Sequence, residues 1–106
     1  MKTEIAGYRF QWDDKKAKIN ANKHGVSFWD AAWVWKDEYR MDFVDEKHSL
    51  EEERFITIGK ANDVLFVVYT ERDDEFKIRL ISARPAKEDE RKEYDEHRLL
   101  LSGKGC

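Results

Sequence analysis

The sequence holds one cysteine, one proline and five glycines among its 106 residues. A lone thiol at the chain's end, Cys106, excludes an internal disulfide framework and suits a reducing compartment. The scattered glycines form neither a dinucleotide fingerprint nor a phosphate-cradling loop, so no nucleotide cofactor is expected. The three histidines, His24, His48 and His97, are too far apart for zinc spacing, and the acidic residues show no metal-binding pattern. No apolar run approaches the ~20 residues a membrane helix needs. Met1-Lys2-Thr3-Glu4 leads into no apolar leader segment, so a cytoplasmic protein is expected. No serine or cysteine nucleophile motif, internal repeat, linker or low-complexity tract is present.

Charge, by contrast, is abundant. Asp, Glu, Lys and Arg make up 41% of the chain, against the ~25% usual in globular domains. The length implies one domain, assigned to residues 1–101, with 102–106 as a flexible tail. The net charge of −3 argues against a general nucleic-acid coat. Residues 1–26 hold six Lys/Arg against three Asp/Glu, whereas residues 27–53 hold three against nine, so the second stretch offers a face to a basic partner.

The run Val64-Leu65-Phe66-Val67-Val68-Tyr69-Thr70 organises the rest. Its continuous apolar and β-branched character predicts a strand buried on both faces. Arg54–Ile58 precedes it across a Gly59–Asp63 loop, and Lys77–Arg84 follows, which gives a three-strand antiparallel meander. Tyr8–Trp12 alternates as a short first strand with Tyr8, Phe10 and Trp12 inward. Asp13 then caps a helix from Asp14 to His24 that stops at Gly25. Ser27 caps a second helix running to about Trp35, with Asp30 completing a capping box and Val26 against Ala31 as a staple. Phe28, Ala32 and Trp35 share its core face, while Trp29 and Trp33 share another, either buried or an exposed patch. Met41–Asp45 predicts an edge strand, Glu46–Glu53 a polar loop, and Ala86–Leu100 a C-terminal helix. The expected class is α+β: a small antiparallel sheet of three main strands plus one or two short ones, with two N-terminal helices and one C-terminal helix.

Arginines on a rigid sheet recognise phosphate or carboxylate bidentately, and a nearby His or Lys moves a proton. Together they suggest RNA cleavage without metal: a base takes the 2′-OH proton, that oxygen attacks the adjacent phosphorus, arginines stabilise the growing negative charge, and an acid protonates the leaving oxygen as its bond to phosphorus breaks. The same arginines fit a solvated face paired with Asp and Glu. Lys23 and His24 fit equally a helix C-terminus that they stabilise by ~0.3–1 kcal/mol each. Strict alternation puts Arg84 with Ile78 and Leu80, and Arg79 on the opposite face with Lys77, unless a bulge intervenes. Ser82 shares the Arg84 face and binds either phosphate or its own backbone, and Tyr94 is either a catalytic hydroxyl or the anchor of its helix.

The chain resembles the BrnT-type ribonuclease toxins of bacterial type II toxin–antitoxin systems. The blocks that carry this are Phe10-Gln11-Trp12-Asp13 with Lys16-Ala17 and Asn20, Asn22-Lys23-His24-Gly25-Val26-Ser27-Phe28 with Ala31, and Glu52-Glu53-Arg54-Phe55. Further on come Ile58-Gly59, Leu65–Thr70, Arg79-Leu80-Ile81-Ser82-Ala83-Arg84-Pro85-Ala86, Glu90-Arg91 and Tyr94. The resemblance implies a RelE-like fold and translation inhibition by metal-independent RNA cleavage, with no cofactor. It implies Lys23, His24, Arg54, Arg79 and Arg84 as catalytic residues and Lys16, Ser82 and Tyr94 as RNA contacts. The implied partner is a BrnA-type ribbon–helix–helix antitoxin in a heterotetramer, reaching operator DNA only through the antitoxin, with no membrane. A non-catalytic corepressor is the alternative. Trp29 departs from the family pattern, which usually has an acidic residue there.

Overall fold

A computed structural model describes residues 1–48 and 52–103. Strands β1 (Lys2–Ile5), β2 (Tyr8–Gln11), β3 (Met41–Val44), β4 (Arg54–Ala61), β5 (Asp63–Glu71) and β6 (Ile78–Pro85) form one sheet in the order β1-β2-β6-β5-β4-β3. Helices are α1 (Asp14–His24), α2 (Phe28–Ala32) and α3 (Glu88–Ser102), and a 3₁₀ turn, Trp33–Lys36, extends α2. The chain is α+β as expected, but the sheet is larger and mixed. β2 runs parallel to β6, and the remaining pairs are antiparallel. A parallel pair needs a long covered crossover, which everything between Trp12 and β6 provides. The unexpected β1 folds back on β2 through Ala6 and Gly7, both at positive φ (53° and 85°), as a two-residue hairpin turn requires.

Local chemistry fixes the helices. Asp13 Oδ1 accepts from Lys16 N at 3.0 Å, and Gly25, at φ 70°, ends α1 by donating to Ala21 O at 2.9 Å. Ser27 Oγ accepts from Asp30 N at 3.0 Å and starts α2. Phe28, Ala32 and Trp35 are buried, whereas Trp29 and Trp33 are 46% and 47% exposed. α1 is tied to β6 by Asn20. Its amide donates to Ala83 O (2.9 Å) and Val26 O (3.0 Å) and accepts from Ala83 N (3.1 Å).

One sheet face carries the main core. Phe10, Trp12, Phe28, Val34, Trp35, Val67, Leu80 and Ala83 are buried there. Trp35 meets Phe10 and Tyr69 edge-on at 5.1 and 5.0 Å. Tyr8, expected inward, is instead 40% exposed, at the start of β2 directly after the Ala6–Gly7 turn. β5 is not buried on both faces: Leu65, Val67 and Tyr69 are buried, but Phe66 and Val68 are only partly covered. α3 covers the second face at one end alone, where Met41, Ile58, Val64, Ala86 and Tyr94 make a smaller cluster.

The loop expected at 59–63 is mostly strand. β4 continues to Ala61 and reverses at Asn62, φ 72°. Gly59 serves close approach instead, since a Cβ there would stand 2.6 Å from Val34 Cγ1 and 2.9 Å from Arg40 Cβ. The polar-loop expectation at 46–53 includes residues 49–51, which lie outside the described residues, as do 104–106 of the expected tail. Ser102 still belongs to α3, and Gly103, at φ 72°, caps it.

Candidate active site on the open face of the sheet

Directly paired residues of neighbouring strands project to the same face. Three such rows cross the open face: Ile58–Phe66–Arg84, Ile56–Val68–Ser82 and Arg54–Thr70–Arg79. The third row exists because the β5–β6 register shifts at Val68/Tyr69. Val68 faces Ser82 but Tyr69 faces Leu80, so Ile81 is an extra residue. This bulge turns Arg79 to the face that carries Arg84, which strict alternation forbids.

The arginines nevertheless fall into two groups. Phe66 and Thr70 are four residues apart on β5, so the Arg84 row and the Arg54–Arg79 row lie ~13 Å apart. Within the latter row, Arg54 and Arg79 flank Thr70 from the two adjacent strands, ~10 Å apart at the backbone. Thr70 Oγ1 donates to Glu53 O at 2.7 Å. Arg79 donates to Gln11 Oε1 at 2.8 Å, and Gln11 Nε2 is held by Phe76 O (2.6 Å) and the Asp74 carboxylate (3.0 and 3.1 Å). A neutral amide orients Arg79 without cancelling its charge.

Arg84 is held differently. Its guanidinium lies 3.9 Å from the Phe66 ring centroid and grips both Glu90 oxygens at 2.8 and 3.0 Å. Glu90 also accepts from Lys87 N at 2.7 Å. The Arg84 hydrogen bonds hold the Glu90 carboxyl below its ordinary value against the opposing effect of burial. Between the two groups runs a groove of about 280 Å³ lined by Asp45, Arg54, Ile56, Phe66, Val68, Ile81 and Ser82. Its floor is apolar and its flank carries both signs of charge.

The other expected site residues lie apart from this groove. Asp13, whose carboxyl the Lys16 N–H holds below the ordinary value, also feels the charge of Arg79, and Asn20 stands at Ala83. α1 therefore runs alongside β6 from the Arg79 level toward Arg84. Exposed Lys23 and half-buried His24, one turn beyond Asn20, belong to the Arg84 end, with no hydrogen bond or ion pair to a described residue. Lys16 is exposed on α1. Tyr94 is 2% exposed and donates its hydroxyl to Asp37 Oδ2; burial first, then that carboxylate, pushes its pKa upward. Tyr94 therefore anchors α3.

Sequence reasoning did not single out Asp45, Gln11 or Thr70. Gln11 carried a signal, a polar residue between two aromatic core positions, but which partner it satisfied was not legible. Asp45 was hidden in an acidic stretch.

The sequence matches the family described as "Ribonuclease toxin, BrnT, of type II toxin-antitoxin system" over residues 12–90, and this span holds α1, α2, β3 through β6 and the whole groove. A comparison with curated proteins returned no match. Among the described residues no helix is long and apolar enough to cross a membrane. A sheet face with three arginines over an apolar groove suits a ribonuclease, and on the match across most of its length this chain belongs to the BrnT family of type II toxin–antitoxin ribonuclease toxins.

Proposed function

We propose that the chain is a metal-independent endoribonuclease that blocks translation by cutting RNA on the open face of its sheet. The observation that carries this is the Arg54–Thr70–Arg79 row beside an apolar groove. Two guanidiniums flanking one point suit a phosphodiester whose charge grows in the transition state, and the groove floor of Ile56, Phe66 and Val68 suits the adjoining base. We assign Asp45, on the wall shared with Arg54, as acceptor of the 2′-OH proton. Lys23, His24 and Arg84 then bind flanking phosphates at the other end, with Ser82 between and Lys16 as an outlying contact. α1 and α2 against the core side of the sheet, with α3 covering only one end of the other face, support the RelE-like reading of the fold. Neutralisation is assigned to a BrnA-type ribbon–helix–helix antitoxin in a heterotetramer, with DNA contacted through the antitoxin.

A second reading, a non-catalytic corepressor, is favoured by the Arg84–Glu90 pair, in which a carboxylate takes up the Arg84 guanidinium. Expression of the chain alone separates the two. The ribonuclease reading expects growth arrest and RNA fragmentation, each relieved at least 100-fold in Arg54→Ala or Arg79→Ala while the antitoxin complex still forms. Unimpaired growth and intact RNA with the wild type leave the corepressor reading.

A further inference from the structure

An apolar and basic surface lies away from the groove. Trp29 and Trp33, one turn apart at the α2 junction, are each about half exposed. Trp29 leans edge-on against Trp12 at 5.1 Å, so it is held rigidly with its outer half uncovered. Beside Trp33 opens a groove of about 370 Å³ bordered by Lys36, Lys60 and Arg98. Lys36 Nζ sits 6.0 Å from the Trp33 ring centroid. The carboxylate lining this groove, Asp37, is taken up by Lys60 N (2.7 Å), Tyr39 N (2.9 Å) and the Tyr94 hydroxyl, and Asp30 lines the adjoining groove on the other side of Trp33.

These cations differ from most of the arginines. Arg9, Arg40, Arg72, Arg84 and Arg91 each pair with a carboxylate. Lys36, Lys60 and Arg98 make no ion pair with any described residue, although Asp and Glu outnumber Lys and Arg in the chain, 23 to 20. Three uncompensated cations around an exposed indole present a surface complementary to carboxylates that flank an apolar side chain. Tryptophan and arginine are also the residues that anchor protein interfaces.

We propose that this surface is where the cognate antitoxin docks, through a segment that seats aliphatic side chains on Trp29 and Trp33 and aims carboxylates at Lys36, Lys60 and Arg98. Two observations favour a protein over a polynucleotide. Trp29 and Trp33 give the patch two half-exposed indoles one turn apart, which suit aliphatic side chains rather than a phosphate backbone, and a type II toxin has an antitoxin partner. Arg54 opens β4 and Lys60 lies six residues on, so this surface is ~20 Å from the Arg54–Arg79 row. The inference rests on the toxin reading only for the identity of the partner.

Calorimetry tests it, with the purified full chain and the purified antitoxin of its own toxin–antitoxin pair. Trp33→Ala and the pair Lys60→Glu/Arg98→Glu are expected to weaken binding at least 10-fold and 100-fold. Acid-to-lysine exchanges in the antitoxin are expected to restore much of the charge-reversed pair's affinity. The same variants are expected to melt within a few degrees of wild type and, expressed alone, to arrest growth that the antitoxin no longer rescues. Wild-type affinity in the variants overturns the proposal, as does a loss confined to binding of a single-stranded RNA. Failure of the ribonuclease reading appears separately, as growth unaffected by the wild type while calorimetry still reads the interface.

Discussion

Asn20 does more for this fold than its place on a thinly apolar helix suggests. Its side chain satisfies Ala83 N and O beyond the end of β2, together with Val26 O in the turn after α1. Asn20→Ala leaves three buried backbone groups unpaired, each worth about 1–3 kcal/mol when unsatisfied. Water entering the cavity offsets part of that, so urea unfolding is expected to show a loss of roughly 2–4 kcal/mol. A loss below about 0.5 kcal/mol, the usual size of a surface substitution, contradicts this role. The sequence announced the caps at Asp13, Gly25 and Ser27 because capping is local chemistry. It did not announce Asn20, because the groups it satisfies are up to 63 residues away.

At the scale of elements, three side-chain contacts among the described residues fasten α3: Arg84–Glu90 near its start, Arg91–Asp63 beside it and Tyr94–Asp37 in its middle. The Glu90 carboxyl titrates below its ordinary value in the folded chain. Its contribution is therefore present above the ordinary carboxylate pKa and is lost as pH falls through the depressed one. Hydrogen exchange is expected to show the first turns of α3 opening faster as pH drops below that ordinary value. Glu90→Gln is expected to open them at neutral pH and to abolish the dependence. Equal protection in wild type and variant across that range contradicts the latch. The element map shows where sequence reading stops. Helices, the β4–β5–β6 meander and the edge strand β3 were legible from periodicity and caps. β1 was not, because Lys2–Ile5 has one large apolar residue and the hairpin turns on Ala6 rather than Asn or Gly. The β2–β6 pairing was not legible either, because parallel neighbours distant in sequence leave no local mark.

In the whole molecule, the bulge at Ile81 is what makes a site conceivable, since it carries Arg79 to the face of Arg54 and Arg84. No residue type at Ile81 signals a bulge, so the sequence left open which face each arginine takes. It also implied one convergent cluster with His24, whereas the fold divides the cations between the Arg54–Arg79 row and the Arg84 end. The most direct measurement uses the purified full chain, an RNA it cuts, and the same RNA with one 2′-deoxy sugar at the scissile position, all in excess EDTA. The account predicts cleavage of the RNA with a 2′,3′-cyclic phosphate terminus, at least 100-fold slower cleavage at the deoxy position, and loss of cleavage in Arg54→Ala. Cleavage that needs added metal, or that proceeds equally at the deoxy position, contradicts it.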